Sequence, residues 1–224
     1  MQTRAIHDQR ILLPDLDIDD LDPVEVPPRL DLADALITEG DWKRVQLAST
    51  KITRTRFDAV NMNAAVWDDV SVTGSIFDRV DLSSARLTSL TLDRCHLIGC
   101  QLTGLHLSMA TLKNVIFENC RLDYATFNAV RTTGPVAFIG CTLTETSLTG
   151  CKLGQAVITG CQLNRLELHG CDLYGTDLRG NPLDTITGID SLKGATLAPD
   201  QLADLTTAVL ADLGLRVEAA RPGF

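Results

Sequence analysis

The sequence runs to 224 residues with a net charge of −9, 45% hydrophobic side chains and only 4% aromatic ones. That length suits one sizeable domain, and the shortage of aromatics argues against an ordinary globular core and for a regular scaffold. No apolar run approaches the ~18 residues of a membrane span. Met1 to Gln9 lacks the apolar stretch of a secretory signal, so a cytoplasmic location is expected.

Charge is distributed unevenly along the chain. Residues 1–41 hold 11 acids and 3 bases, residues 42–197 hold 14 and 15, and residues 198–224 hold 4 and 2. Three stretches are expected to match: an acidic N-terminal segment with its cap (1–41), a repeat domain (42–197), and a C-terminal capping helix and tail (198–224). Asp15 to Glu25 is rich in acids and has no base, the composition of a solvated segment. Asp31 to Glu39 reads as a short helix ending at Gly40, and Trp42 as a lid on the repeat domain.

From Leu47 to Phe127, and again from Phe138 to Leu183, stepping by five lands on an apolar residue at all 27 positions. At 45% hydrophobic content chance would give this roughly once in a billion trials before the choice of register. Only Thr132 interrupts, beside Gly134 and Pro135, where one extra residue shifts the frame. Two residues before each centre stands a small or modest side chain, such as Ala65, Ser75, Ala85, Cys100 or Cys141. A period of five fits neither a helix nor an alternating strand. It fits a coil that turns a corner every five residues, with one large and one small side chain inward and three facing water.

The segments CTLTE, TSLTG, CKLGQ, CQLNR, CDLYG and TDLRG resemble the unit of the pentapeptide-repeat family, over residues 42 to 197. The resemblance implies an all-β solenoid: a right-handed, quadrilateral parallel β-helix with short helical caps, four pentapeptides per coil and stacked residues 20 apart. Phe57, Phe77, Phe117 and, past the insertion, Phe138 then fall in one column with Leu97 between. The face of Val72, Leu92, Leu112 and Leu153 then collects Lys51, Arg54, Arg94, Lys113, Arg131 and Lys152 against only Asp93 and Asp172. This is the candidate interaction surface, and Asp15 to Glu25 is expected to lie along it and mask it.

Pro199 to Leu213 reads as a helix with proline at its first position and Gly214 just past its end. Leu202, Leu205, Val209 and Leu213 form one stripe, expected to close the last coil, and Leu210 lies off it. Family members pair through this end, which implies a homodimer. All seven cysteines occupy the small inward slot and read as reduced core residues. Parallel side chains in a column do not converge on a metal. His7, His96, His106 and His169 are scattered and read as solvated, and no catalytic or cofactor-binding motif is present. The expectation is a non-catalytic bacterial scaffold that binds a protein partner of unknown identity, with no cofactor. The alternative, implied by the quinolone-resistance branch, is a DNA mimic that acts on DNA gyrase and protects it from quinolone-type inhibitors. The balanced charge of the repeat region sits poorly with DNA, which carries one negative charge per ~1.7 Å.

Overall fold

A computed structural model describes residues 2–25 and 31–218. Residues 31–197 wind into a β-solenoid with parallel strands. A chain that must bend every five residues needs a corner residue outside the extended region. That residue sits two past most apolar centres and is left-handed: Ala59 (φ 54°), Ala64 (57°), Arg79 (53°) and Ser84 (57°) are typical. Such a conformation strains a residue with a Cβ, and here the coil offsets it by bonding the corner amide to the next coil. Ala59 N donates to Asp78 O at 2.8 Å, and Ala64 N to Ser83 O at 2.9 Å.

Each coil has four walls. Among the described residues the strands form a twelve-stranded sheet over two adjacent walls and a seven-stranded sheet on a third. The fourth is made of turns, joined between coils by single bridges such as Asp41↔Asn61 and Asn61↔Asp81. The phenylalanine wall carries Phe57↔Phe77↔Leu97↔Phe117↔Phe138↔Ile158 in register, so the column expected from the sequence is present. Rings stack at 4.8 Å between Phe57 and Phe77, and at 4.6 Å between Phe117 and Phe138. Beside it, the basic wall carries Ile52↔Val72↔Leu92↔Leu112↔Thr132. Partners are 21 apart where the pair spans the insertion, as in Val115↔Val136 and Arg131↔Lys152, and 20 apart on either side, as in Thr111↔Thr91 and Lys152↔Asp172. The extra residue is absorbed at Gly134 and Pro135.

The solenoid starts earlier than expected. In place of a helix at Asp31 to Glu39 the chain forms strands Leu32–Ala33 and Ala35–Thr38, paired with the coil above. Leu32 and Ile37 are buried centres, and Ala35 fills a small slot. The step of five therefore runs back through Trp42 and Ile37 to Leu32. Trp42 is an inward centre, edge-on to Phe57 at 6.1 Å, rather than a terminal lid. A further short strand, Asp22–Pro23, adds a rung beneath Ala35 and Leu36.

Upstream of that rung, β1 (Thr3–Ile6) and β2 (Gln9–Leu12) form an antiparallel hairpin in a sheet of their own. At the other end α1 (Leu202–Asp212) follows a short 3₁₀ turn at Pro199–Gln201. Among the described residues no helix is long and apolar enough to cross a membrane.

Candidate interaction surfaces

The interior is filled by stacked side chains, and its voids measure only about 20 Å³ or less each. Any site must therefore lie on a wall or at an end. Unpaired backbone at a solenoid end needs partners, and at the C-terminal end acidic and amide side chains supply them. Gln201 Nε2 donates to Leu178 O at 2.9 Å and to Asn181 O at 2.7 Å, while its Oε1 accepts from Ala198 N. Asp212 accepts from Gly188 N and Ile189 N, and Asp204 from Leu183 N.

This polar cap replaces the apolar stripe expected to close the coil. Only Ala208 of α1 is buried among its apolar residues. Leu205, Val209 and Leu210 are half-buried, while Leu202 and Leu213 are 60% and 65% exposed. The stripe fails as a plug because the helix attaches through Asp204 and Asp212, which turns its leucines away from the core. Leu215 and Val217 beyond it are exposed as well. The end thus presents an apolar patch, the kind of surface that marks a protein contact.

The six bases of the basic wall differ in what they meet. Arg54 pairs with Asp34 at 2.5 Å and donates to Asp15 O at 3.3 Å. Arg94 meets Asp93 at 3.6 Å, and Arg131 donates to Thr111 Oγ1. Among the described residues no ion pair reaches Lys51, Lys113, Arg131 or Lys152. The acidic segment passes the corner near Arg54, where Asp15 and Asp20 both raise the guanidinium pKa behind the larger effect of Asp34. It then joins the phenylalanine wall at Asp22–Pro23. Masking is confined to one end of the stripe, and the stretch from Lys113 to Lys152 lies open.

A family model for the pentapeptide repeat region matches residues 70–134, and another, for eight copies of the repeat, matches residues 140–180. The chain is a pentapeptide-repeat protein. Among solved structures, a trypsin-treated form of QnrB1, a plasmid-mediated fluoroquinolone resistance protein, is similar at 12% identity with a TM-score of 0.58, over 88% of this chain and 96% of that one. HetL, involved in heterocyst differentiation regulation in the cyanobacterium Nostoc sp. strain PCC 7120, shows 22% identity over 75% of this chain and 83% of its own, with a TM-score of 0.44. The QnrB1 likeness is one of fold. A comparison with curated proteins finds no match.

In this pentapeptide-repeat protein the cysteines are all free thiols, six buried and Cys171 half-buried. Each thiol donates to a carbonyl of the coil before it: Cys100 to Phe77 O, Cys120 to Leu97 O, Cys141 to Phe117 O and Cys161 to Phe138 O, at 3.4–3.5 Å. Thr146 and Thr176 do the same through their hydroxyls at 2.8 Å. The small slot thus also satisfies a carbonyl, a role that volume alone did not suggest. Burial pushes the Cys95 thiol up to about 12. Cys171 is shifted the other way, chiefly by the neighbouring Cys151 side chain. Among the described residues no three His, Cys, Asp or Glu side chains gather as a metal site would require.

The N-terminal hairpin lies on the outside of the phenylalanine wall. Ile6 and Ile11 are buried against Ile116, Ala137 and Val157. Arg4 forks onto Glu118 at 2.6 and 2.9 Å, and His96 Nε2 sits 2.9 Å from one of the same oxygens. At the hairpin turn His7 Nδ1 lies 2.8 Å from Asp177, and Asp8 pairs with Arg179 at 3.1 Å. His96 is therefore a half-buried contact residue rather than a solvated one, while His7 stays exposed at the turn and still reaches Asp177. His106 bonds Thr126, and His169 lies near Glu167.

Both latches weaken with acid. The bond from Arg4 holds the Glu118 carboxyl below its usual range, and burial lowers His96. Asp177 sits at about 2: burial pushes it up, but bonds from Arg179 and His7 outweigh this. A carboxylate depressed on folding stabilises above its unfolded pKa and loses that contribution as pH falls to its folded value. A histidine depressed by burial likewise disfavours the folded form as pH drops below about 6.5. All three effects have the same sign. Lowering the pH from 7 to 2.5 is expected to release the hairpin while the coils persist. Methyl resonances of Ile6 and Ile11 that stay unchanged over this range would show that the latches contribute nothing.

Proposed function

We propose that this pentapeptide-repeat protein is a non-catalytic scaffold that binds protein through its C-terminal end, first of all a second copy of itself. The observation that carries this reading is the exposed row Leu202, Leu213, Leu215 and Val217, next to half-buried Leu205, Val209 and Leu210. Polar groups of the same helix already satisfy the coil end, so these leucines have no structural duty inside the monomer. The open bases Lys113, Arg131 and Lys152 form a second, charged surface for an acidic partner, whose identity a pull-down from native cell extract would supply.

Light scattering of the native chain is expected to give a dimer mass, and Leu213→Arg with Leu215→Arg a monomer with an unchanged melting temperature. A native chain that is monomeric at high concentration overturns the pairing. The alternative reading, a DNA mimic acting on gyrase, draws support from the fold it shares with QnrB1. Charge opposes it. On the phenylalanine wall Asp58 and Asp78 are tied to Arg79 and Arg56 at 2.5 and 2.6 Å, and Glu118 to Arg4, so these carboxylates do not form a free row to imitate phosphates. A supercoiling assay is expected to show no effect of the protein on gyrase or on its inhibition by quinolones.

A further inference from the structure

We propose that the outer patch formed by Ile116, Ala137 and Val157 is a docking site for a β-hairpin of another protein, and that the chain's own N-terminal hairpin occupies it until displaced. This rests on reading the chain as a protein-binding scaffold but concerns a different surface from the C-terminal end.

The patch is out of place on a solenoid wall. Elsewhere in this column polar Arg56, His96 and Asp177 alternate with single apolar residues, Leu36 and Ile76, that stay partly exposed. Three successive coils instead present Ile116, Ala137 and Val157, all at most 1% exposed under the hairpin. Glu118 borders this apolar strip on one side, and Asp177 on the next coil closes it. The occupant that fits is therefore a hairpin face with two branched aliphatics, a cation at one end and a hydrogen-bond donor at the other. Ile6, Ile11, Arg4 and His7 fill those roles in cis.

The hairpin is attached as a ligand would be. It belongs to neither solenoid sheet. Side chains hold it, and among the described residues its one bond from a main-chain amide to the solenoid runs from Leu12 N to the Asn114 side chain at a long 3.4 Å. Its tether at Leu13–Asp15 runs over a recess of about 390 Å³ lined by Thr53, Arg54, Thr73 and Arg94, where Pro14 is buried and Arg54 reaches Asp15 O. A lone two-stranded hairpin is marginally stable in water, so its order depends on the wall, and a competitor of the same chemistry removes it without disturbing the coils.

The test uses the full chain with Ile6→Asp and Ile11→Asp, which frees the patch. The probe is a fluorescein-labelled peptide with the sequence of residues 2–13. Saturable one-to-one binding to the opened chain is expected. It should be at least ~10-fold weaker when Val157→Asp is added and at least ~100-fold weaker to the native chain. Equal binding to native and opened chains overturns the proposal, as does no binding to an opened chain with native circular dichroism. Amide exchange in the native chain decides the matter if the opened chain fails to fold. The amides of β1 and β2 are expected to exchange at least ~100-fold faster than those of Phe117 and Phe138, and equal protection overturns the proposal. Light scattering of the same samples reads association through the C-terminal end separately, so loss of one site is distinguishable from loss of the other.

Discussion

Phe117→Ala is expected to destabilise the protein by about 3–5 kcal/mol, the range for emptying a buried aromatic site. The Phe117 ring is 3% exposed and lies flat on Phe138, with centroids 4.6 Å apart and planes within 2°. Leu97 occupies the same slot on the coil below. A globular core recovers part of such a loss by collapsing onto the gap, but here strand spacing is fixed at ~4.8 Å by bonds between coils. Asn119 N to Ile139 O and Gly99 N to Glu118 O, both 2.8 Å, hold the Phe117 rung above and below. The cavity therefore stays open. Phe117→Leu is expected to cost about 1–2 kcal/mol, since Leu97 and Ile158 already serve in this column. In a stack whose stability comes from neighbouring interfaces, the alanine variant should also broaden the urea transition, because it weakens the link between the two halves of the solenoid. A midpoint for Phe117→Ala equal to that of the native chain would show that the column does not bear on stability.

How much of the fold was legible in the sequence depends on how strictly the chemistry recurs. A repeated step of five with large and small residues in fixed slots leaves a coil with corners as the one solution, so the phenylalanine column and its one-residue offset at Gly134 were readable. Leu32 and Ile37 obey the same step, yet Asp31, Ala33, Asp34 and Ala35 around them carry no turn signal and suit a helix, which hid the first coil. At the C-terminal end the stripe Leu202, Leu205, Val209 and Leu213 was visible, but Asp204 and Asp212 decide which side of α1 meets the coil. Those bonds depend on where Leu183, Gly188 and Ile189 leave their amides, which no local pattern encodes. The hairpin had a faint signal in the alternation of Arg4 and Ile6, then Gln9 and Ile11, across His7 and Asp8. Its partners Glu118 and Asp177 lie more than 100 residues away, beyond the reach of any spacing rule.

Gly188→Ala is expected to loosen the C-terminal end by more than about 3 kcal/mol, combining backbone strain with a steric overlap. Gly188 falls 20 residues after Leu168, at the position where the seven-stranded wall would demand another apolar centre. The chain instead leaves the wall here, with the last bridge one residue earlier, at Glu167↔Thr187. Its φ is +75°, and a Cβ would lie 1.7 Å from Leu168 O and 2.7 Å from the attached carbon. Backbone atoms cannot swing aside as a flexible side chain would, and moving Leu168 breaks its own bond from N to Thr187 O. The same corner carries the attachment of α1, because Gly188 N and Ile189 N both donate to Asp212. Shifting the corner should therefore release α1 and the patch it presents. The damage should stay local: amide protection is expected to fall from Leu166 to the end of α1, and to persist at Phe117 and Phe138. Asp212→Asn, which keeps an acceptor but loses its charge, should cost only about 1 kcal/mol and leave Leu168 protected. Native protection at Leu168 and Thr187 in the Gly188→Ala chain would mean that the corner can be built without glycine and that the close approach to Leu168 is not what ends the solenoid.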